Sequence, residues 1–204
     1  MPIAIDIVSG NCPTGDRAFI ATPKRPPVPL HRIPLANLMA LADHSKEAEE
    51  IISKACSDPN FEGVLRANPI RMLAGRANQL TDYRDFPIDG FVCGWSGHAG
   101  HMALLAVFDV RTMELAGGLD DKVLLVLPTF RGRGIGPEIL IKAFAEGLLH
   151  PETMNVGNSL TTVGHHNRVK AHRIAVTRAL DQGEPVPPEV LDDYPELKAS
   201  GFSL

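Results

Sequence analysis

One stretch of the chain decides the fold: Val126-Leu127-Pro128-Thr129-Phe130-Arg131-Gly132-Arg133-Gly134-Ile135-Gly136-Pro137. A continuous apolar run over Lys122–Leu127 predicts a buried strand, and the pattern over Pro137–Leu149 predicts an amphipathic helix. The glycines between them let the backbone turn sharply and approach a ligand closely. The first amides of a helix have no intrahelical partner and carry the positive end of its dipole. The stretch therefore predicts a cradle for a phosphate or diphosphate, with Arg131 and Arg133 as cationic donors.

Two common nucleotide-binding motifs do not fit this stretch. A P-loop needs Lys followed by Ser or Thr after its last glycine, whereas Gly136 is followed by Pro137 and Glu138. The dinucleotide pattern GxGxxG also fails, because Pro137 stands where the third glycine would be. The pattern that remains is Arg-x-x-Gly-x-Gly, formed by Arg131, Gly134 and Gly136.

This pattern, placed after a strand and before an amphipathic helix, resembles the coenzyme A-binding motif of the GCN5-related N-acetyltransferases. The resemblance is close from Lys122 to Phe144 and loose from about Arg71 to Leu180. It implies an α/β (α+β) fold: a mixed, mostly antiparallel central sheet with a V-shaped splay, flanked by helices. The implied function is that of an acetyl-CoA-dependent N-acyltransferase, in which an amine attacks the thioester directly.

The resemblance also implies how acetyl-CoA would be held. Amides of the loop would bind the diphosphate, and the backbone of the preceding strand would bond the pantetheine arm. The implied cofactor-binding residues are Val126, Leu127, Arg131, Gly132, Arg133, Gly134, Ile135, Gly136 and Asn167. Asn167 fits an Asn that often follows the next strand in the family, here predicted over Ser159–Val163. The family also often has a Tyr near the cofactor sulfur, but no Tyr follows here until Tyr194.

Several residues are candidates for transferring protons, and the sequence does not choose between them. His165 and His166 directly follow the predicted strand, and a histidine of near-neutral pKa suits a proton shuttle. His172 is predicted one turn into the next helix and could replace the missing tyrosine. Asp121 precedes the strand of the motif, where a carboxylate could act through water. The alternatives are exposed loop histidines, a solvated turn, and catalysis by positioning alone.

Prolines divide the chain into three parts. Residues 1–34 contain short predicted strands at Ile3–Val8 and Ala18–Ala21 and then an arm, Pro23–Pro34, whose five prolines predict an extended path across the surface. Residues 35–182 form the acyltransferase domain, with a helical pattern over Leu35–Cys56 that has a second reading as two helices broken around Asp43–Ser45. Further strands are predicted over Gly90–Ser96 and Met102–Val110, and a helix over Asn167–Leu180.

Residues 183–204 are predicted to be a proline-containing tail. Its apolar residues are expected to pack back onto the domain: Val190, Leu191, Tyr194 and Leu197. The tail is similar to short C-terminal segments in polyvalent proteins of phages and mobile elements. That similarity points to a phage, mobile-element or bacterial setting.

Composition narrows the classes of function. The chain has 204 residues with 44% hydrophobic and 22% charged, which is typical of a soluble globular domain. A net charge of -4 and 5% aromatic residues weigh against a dedicated nucleic-acid binder. The three cysteines form no CxxC pair, so we expect no zinc or disulfide framework and a cytoplasmic location. No apolar run reaches about 18 residues, so we expect no membrane contact.

Three function hypotheses follow. The first is the acyltransferase, with its amine on a small molecule, a protein or a nucleic acid; a homodimer is left open. The second is an acyl-CoA-binding module with reduced catalysis, favoured by the missing tyrosine. The third is a phage-type nucleic-acid-modifying enzyme of the same fold, which would need a basic patch from Arg168, Lys170, Arg173 and Arg178. A glycine-rich turn without a ligand is the alternative to all three.

Overall fold

The computed structural model describes residues 25–39, 43–44, 69–99, 101–121, 123–153, 159–160 and 162–199. The strands are β1 (Asp43–His44), β2 (Arg84–Asp85), β3 (Phe91–His98), β4 (His101–Asp109), β5 (Leu115–Asp120), β6 (Val123–Val126) and β7 (Ser159–Leu160). The helices are α1 (Leu35–Met39), α2 (Pro69–Ala77), α3 (Ile135–Ala145), α4 (Thr162–Asp181), α5 (Pro188–Leu191) and α6 (Pro195–Ala199). Short 3-10 turns lie at Leu30–Arg32, Pro128–Phe130 and Pro151–Thr153. The strands predicted at Ile3–Val8 and Ala18–Ala21 lie outside these residues.

The central sheet has five strands in the order β2-β3-β4-β5-β6, and every neighbouring pair is antiparallel. The sheet follows the order of the chain, since each strand pairs with the next. β1 and β7 form a separate two-stranded parallel sheet. Helices flank the central sheet, so the predicted α+β class is confirmed at this level. Among the described residues, no helix is both long and apolar enough to cross a bilayer.

The strands predicted over Gly90–Ser96, Met102–Val110 and Lys122–Leu127 are confirmed as β3, β4 and β6. β5 was not predicted, because its sequence Leu-Ala-Gly-Gly-Leu-Asp carries two glycines and breaks the apolar alternation. Those glycines let neighbouring strands approach closely. A Cβ on Gly117 would lie 2.6 Å from the carbonyl oxygen of Leu125, and one on Gly118 would lie 2.3 Å from that of Leu105.

The main core lies between the sheet and the pair α3 and α4. Its fully buried members include Leu105, Leu119, Ile135, Ile139, Phe144 and Ala171. α2 covers the opposite face of the sheet, where Leu73 contacts a second cluster with Leu104 and Leu125. The central strands β4 and β5 are therefore covered on both faces, and the helix that follows the glycines packs on one of these faces.

The proline arm lies only partly on the surface: Pro26, Pro27 and Arg32 are exposed as predicted, but other residues are buried. The described part of the arm inserts Leu30 and Ile33 into the main core, where each is 4% exposed. The arm was misplaced because its prolines exclude regular helix but do not prevent single apolar residues from being buried. The helical pattern over Leu35–Cys56 is also not continuous, because Asp43–His44 forms β1. Most of its remainder lies outside the described residues.

The strand predicted over Ser159–Val163 ends at Leu160, and α4 begins at Thr162 rather than at Asn167. Val163 is 67% exposed, so the apolar run that suggested a longer strand does not enter the core. The tail, in contrast, packs as predicted. Val190 and Tyr194 are buried against Val176 and Ala179 of α4, and Leu191 and Leu197 pack beside them.

The single tryptophan lies between two cations. The guanidinium carbon of Arg84 is 4.9 Å from the centre of the Trp95 ring, and Nζ of Lys142 is 4.6 Å from it. Arg84 belongs to β2 and Lys142 to α3, so the indole of β3 joins the edge of the sheet to the helix above it. Lys142 also pairs with Glu146, with Nζ and Oε1 2.9 Å apart.

Candidate anion site at the start of α3

The glycine turn, Arg131–Gly136, connects the 3-10 turn Pro128–Phe130 to α3. Gly132 has a φ of 79° and Gly134 a φ of 83°, a left-handed conformation in which an L side chain is strained. Gly134 is the N-cap residue of α3, and no side chain caps the helix there. The sequence folds this way because glycine alone occupies both left-handed positions without cost.

The first backbone bond of α3 runs from the amide of Glu138 to the carbonyl oxygen of Gly134, 3.4 Å away. The amides of Ile135 and Gly136 precede this bond, and Pro137 has no N–H. These two amides, together with the helix dipole, make the start of α3 suited to an anion.

Aromatic residues pack next to the glycine turn. Phe130 is 6% exposed and meets Phe91 of β3 edge to face, with ring centres 6.0 Å apart. The guanidinium of Arg133 lies over Phe130 at 5.2 Å, and Nε of Arg131 donates to the carbonyl oxygen of Val126 at 3.2 Å. Both arginines are exposed, and in the described part of the chain neither forms an ion pair. Their charges are therefore not neutralised by a neighbouring carboxylate.

Asn167 of α4 lies directly against Gly136. A Cβ built on Gly136 would be 3.1 Å from Nδ2 of Asn167 and 3.3 Å from its Oδ1. A methyl group at position 136 would therefore fit only if the amide of Asn167 shifted slightly. The structure brings together two of the residues that the resemblance implies bind the cofactor, although Asn167 lies inside α4 and not at its start as expected.

A carboxylate lies in the first turns of the same helix. Glu138 is 4% exposed, and Arg178 of α4 binds it with both terminal nitrogens, at 2.8 Å to Oε2 and 2.7 Å to Oε1. This pairing raises the pKa of Arg178, chiefly through its hydrogen bond to Glu138. The role of Glu138 was not predicted; the available signal was a carboxylate among the apolar residues of the first turns of this helix.

β6 leaves one edge of the central sheet without a partner strand among the described residues. The amide of Leu127 donates to the carbonyl oxygen of Ala116 at 2.9 Å, so it is engaged with the β5 side. Because backbone directions alternate in antiparallel pairs, the groups of Leu124 and Val126 point away from β5. The carbonyl of Val126 is the one that Arg131 contacts.

Two of the candidate proton carriers lie close to this site in the sequence of α4. His165 and His166 are exposed residues of its first turns, with ring centres 6.1 Å apart. They were expected in a loop and are helical instead, one or two residues before Asn167. Asp121 is exposed in the turn before β6, with a φ of 53°, at the end of that strand away from the glycine turn.

His172 is not placed to serve as an acid at the site. It is 0% exposed, and both ring nitrogens are engaged: Nδ1 is 2.7 Å from the hydroxyl of Tyr194 and Nε2 is 2.7 Å from the carbonyl oxygen of Ile33. Burial is the main cause that lowers the pKa of His172. The expectation of a general acid at this position is therefore corrected, because no ring nitrogen remains for a substrate. Tyr194 is likewise not available to a substrate, because it is 5% exposed and its hydroxyl is bonded to His172.

The basic patch considered for nucleic acid does not form. Arg168 is partly buried and donates to the carbonyl oxygen of Leu38 at 3.0 Å, and Arg178 is bound to Glu138. Arg173 pairs with Glu196 of the tail at 3.2 Å. Three of the four residues thus point to partners within the protein. Among the described residues, no group of three His, Cys, Asp or Glu could hold a metal ion.

No protein-family model matches the chain, and neither a curated protein nor a solved structure is significantly similar to it.

Proposed function

We propose that the glycine turn binds the diphosphate of a coenzyme A thioester and that the protein is an acetyl-CoA-dependent N-acyltransferase. The observation that carries the proposal is the start of α3: an uncapped helix, two left-handed glycines and a third glycine pressed against Asn167. A Cβ at Gly136 would press on the amide of Asn167, so the glycine allows α4 to approach the start of α3 closely.

The charges around the turn fit a diphosphate better than a carboxylate. Arg131 and Arg133 are exposed, and neither forms an ion pair among the described residues, so both charges are available to a phosphate. Glu138 would oppose an anion, but Arg178 neutralises it on the far side of the helix start. The local charge at the turn is therefore positive although the whole chain carries -4.

The edge of β6 supports the proposed path of the pantetheine arm. The outward groups of Leu124 and Val126 lie on an edge that no described strand covers, and β7 pairs with β1 instead of β6. An extended chain with amide groups would find backbone partners there. We infer that the V-shaped opening expected from the family resemblance lies beside this edge.

Bound acetyl-CoA would supply the thioester, whose carbonyl carbon an amine attacks to form a C–N bond as the C–S bond breaks. The residues of the glycine turn would bind and orient it, as described for the amides of Ile135 and Gly136. His165 and His166 are the exposed groups that could accept the proton of the amine. The acceptor would be an amine on a small molecule, a protein or a nucleic acid.

Calorimetry with acetyl-CoA tests the binding step. Gly136→Ala should weaken binding by about tenfold or more, because the new methyl displaces Asn167 from the start of α3. Gly75→Ala is the matched control, because nothing lies within 4 Å of a Cβ on this exposed glycine of α2. Equal affinity of both variants and the unaltered protein, or tighter binding of ATP than of acetyl-CoA, would overturn the proposal.

The environment of His172 favours a second candidate function, an acyl-CoA-binding module with reduced catalysis. His172, one of the candidate acids, is bound inside the fold to Tyr194, the first tyrosine after Asn167. An acyl-CoA-binding module with reduced catalysis would need neither. Release of free thiol in the presence of a panel of amines separates the two functions: the acyltransferase turns over acetyl-CoA, whereas the module binds it without amine-dependent release.

A further inference from the structure

His172 connects two segments that lie far apart in the sequence. The carbonyl of Ile33 can only accept, so Nε2 of His172 carries the proton and donates to it at 2.7 Å. Nδ1 is then the acceptor, and the hydroxyl of Tyr194 donates to it at 2.7 Å. The neutral ring thus bonds the arm through Nε2 and the tail through Nδ1, and His172 itself is 0% exposed.

Further contacts join the arm, α1 and the tail around α4. The amide of Leu35 donates to Oδ2 of Asp193 at 2.8 Å. Nε2 of His31 in the arm lies 3.4 Å from Oε2 of Glu184 in the tail. Together with the two bonds of His172, these contacts close a ring around the middle of α4, which we call the clasp.

The clasp is connected to the anion site through one helix. Arg168, one residue after Asn167, donates to the carbonyl oxygen of Leu38 in α1. A small cavity lies at this junction, lined by Leu30, Leu38, Leu140, Phe144, Arg168 and Ala171. Asn167 and His172 are five residues apart on α4, or about 7.5 Å along the axis. A shift of α4 at His172 therefore moves Asn167 relative to Gly136.

We propose that the clasp holds α4 in place, so that His172 and Tyr194 are positioning residues that keep Asn167 against Gly136. The inference concerns the geometry of the glycine turn itself and holds whichever anion binds there. Two discrete arrangements follow: a closed clasp with a neutral His172 and an ordered turn, and a released clasp in which α4 is free to shift.

Protonation of His172 favours release. The cationic ring would donate from Nδ1 as well, so the Tyr194 hydroxyl could no longer donate to it, and the charge would be buried. The charged groups that face the ring are Asp193 of the tail, which favours the cation, and His31 of the arm, which opposes it when protonated. His31 is itself buried, facing Glu184 and Arg32.

Amide hydrogen exchange in the protein without ligand tests the proposal, with peptides from the tail, the first half of α4 and the glycine turn. Tyr194→Phe removes one hydroxyl and should speed exchange by about fivefold in all three regions, since a buried hydrogen bond is lost. Tyr83→Phe is the matched control, because its hydroxyl donates to the carbonyl of Leu80 on an exposed surface away from α4.

The pH dependence distinguishes a positioning role from simple packing. After correction for the intrinsic exchange rate, the unaltered protein should loosen at the glycine turn between about pH 7.5 and about pH 5.5. His172→Gln, which can still donate to Ile33, should lose that step. Faster exchange confined to the tail in Tyr194→Phe, or the same effect in Tyr83→Phe, would overturn the proposal. Loss of acetyl-CoA binding is a separate result, because exchange is measured without it.

Discussion

Arg178 holds both carboxylate oxygens of Glu138 at 2.8 and 2.7 Å, and so joins the first turns of α3 to the last turns of α4. Glu138 is 4% exposed, whereas the side chain of Arg178 is 43% exposed. The buried carboxylate thus depends on a partner that reaches it from the surface. The two helices that form the candidate site are joined at two places, which both lie in the first turns of α3 but near opposite ends of α4: Arg178 binds Glu138, and Asn167 contacts Gly136.

Arg178→Met should lower the free energy of unfolding by about 2–3 kcal/mol, because it leaves a buried carboxylate without its partner. Chemical denaturation measures the loss. Arg173→Met is the matched control on the same helix: its pair with Glu196 is exposed, so the cost should stay below about 1 kcal/mol. Adding Glu138→Gln to Arg178→Met should recover part of the loss; equal costs for the two arginine variants would contradict this reasoning.

Gly134→Glu should abolish acetyl-CoA binding, because it places bulk and negative charge at the N-cap of α3. Gly90→Glu is a close control: Gly90 has the same φ of 83° and nothing lies within 4 Å of its Cβ position, but it lies in the turn before β3. Both variants should lose about 1–2 kcal/mol of stability to the left-handed backbone. Calorimetry on the folded proteins should show binding by Gly90→Glu alone, and retained binding by Gly134→Glu would argue against the site.

The free energy of unfolding should decrease as the pH falls below neutrality. Burial lowers the pKa of both His31 and His172, so the unfolded chain binds protons more readily than the folded one. Their contribution is complete above the unfolded pKa of about 6.5 and is lost as the pH falls below it, by up to about 1.4 kcal/mol per pH unit for each histidine. Denaturation across this range measures the slope. His172→Gln should flatten it, in contrast to His166→Gln, a change at an exposed histidine of the same helix; equal slopes would exclude His172 as a source.

An alkaline titration should show that the hydroxyl of Tyr194 ionises at a higher pH than an exposed tyrosine. Burial raises its pKa to about 12, with the charge of Asp193 acting in the same direction. The folded state therefore favours the neutral phenol, and this contribution to stability is lost as the pH rises above about 10, the unfolded value. In Tyr83→Phe, Tyr194 is the only tyrosine, so tyrosinate absorbance should rise only near pH 12 while the protein stays folded. A rise near pH 10 in the folded protein would show that the hydroxyl is not buried.

The local sequence pattern was sufficient to predict the strands with apolar runs and the position of the glycine turn. β3, β4 and β6 were predictable because their side chains show the expected run or alternation. The helix after the glycines was predicted from Pro137 to Leu149, whereas it begins at Ile135 and ends at Ala145. β5 was missed because Gly117 and Gly118 serve close strand approach, which depends on neighbours distant in the sequence. The start of α4 was misplaced because exposed Val163 mimics a strand residue.

The environment of His172 could not be predicted from the sequence. Its partners, Ile33 and Tyr194, are 139 and 22 residues away in the chain, and neither contact follows from a local pattern. The lack of a tyrosine in the helix after Asn167 was visible in the sequence, but the place where Tyr194 packs was not. The tail was correctly predicted to pack back, because its apolar residues needed cover. Where it would pack depended on the small residues Val176 and Ala179 of α4.

The contact of Trp95 with Lys142 makes the protein's own fluorescence informative. The chain contains one tryptophan, so its emission comes from a single known place. That indole is bounded by Arg84 on β2 and by Lys142 on the helix whose first turn meets the proposed ligand. Emission from an indole responds to charges near its ring. A rotation or shift of α3 on ligand binding would therefore change the signal without any label, and Lys142→Met would remove the response while leaving the glycine turn intact.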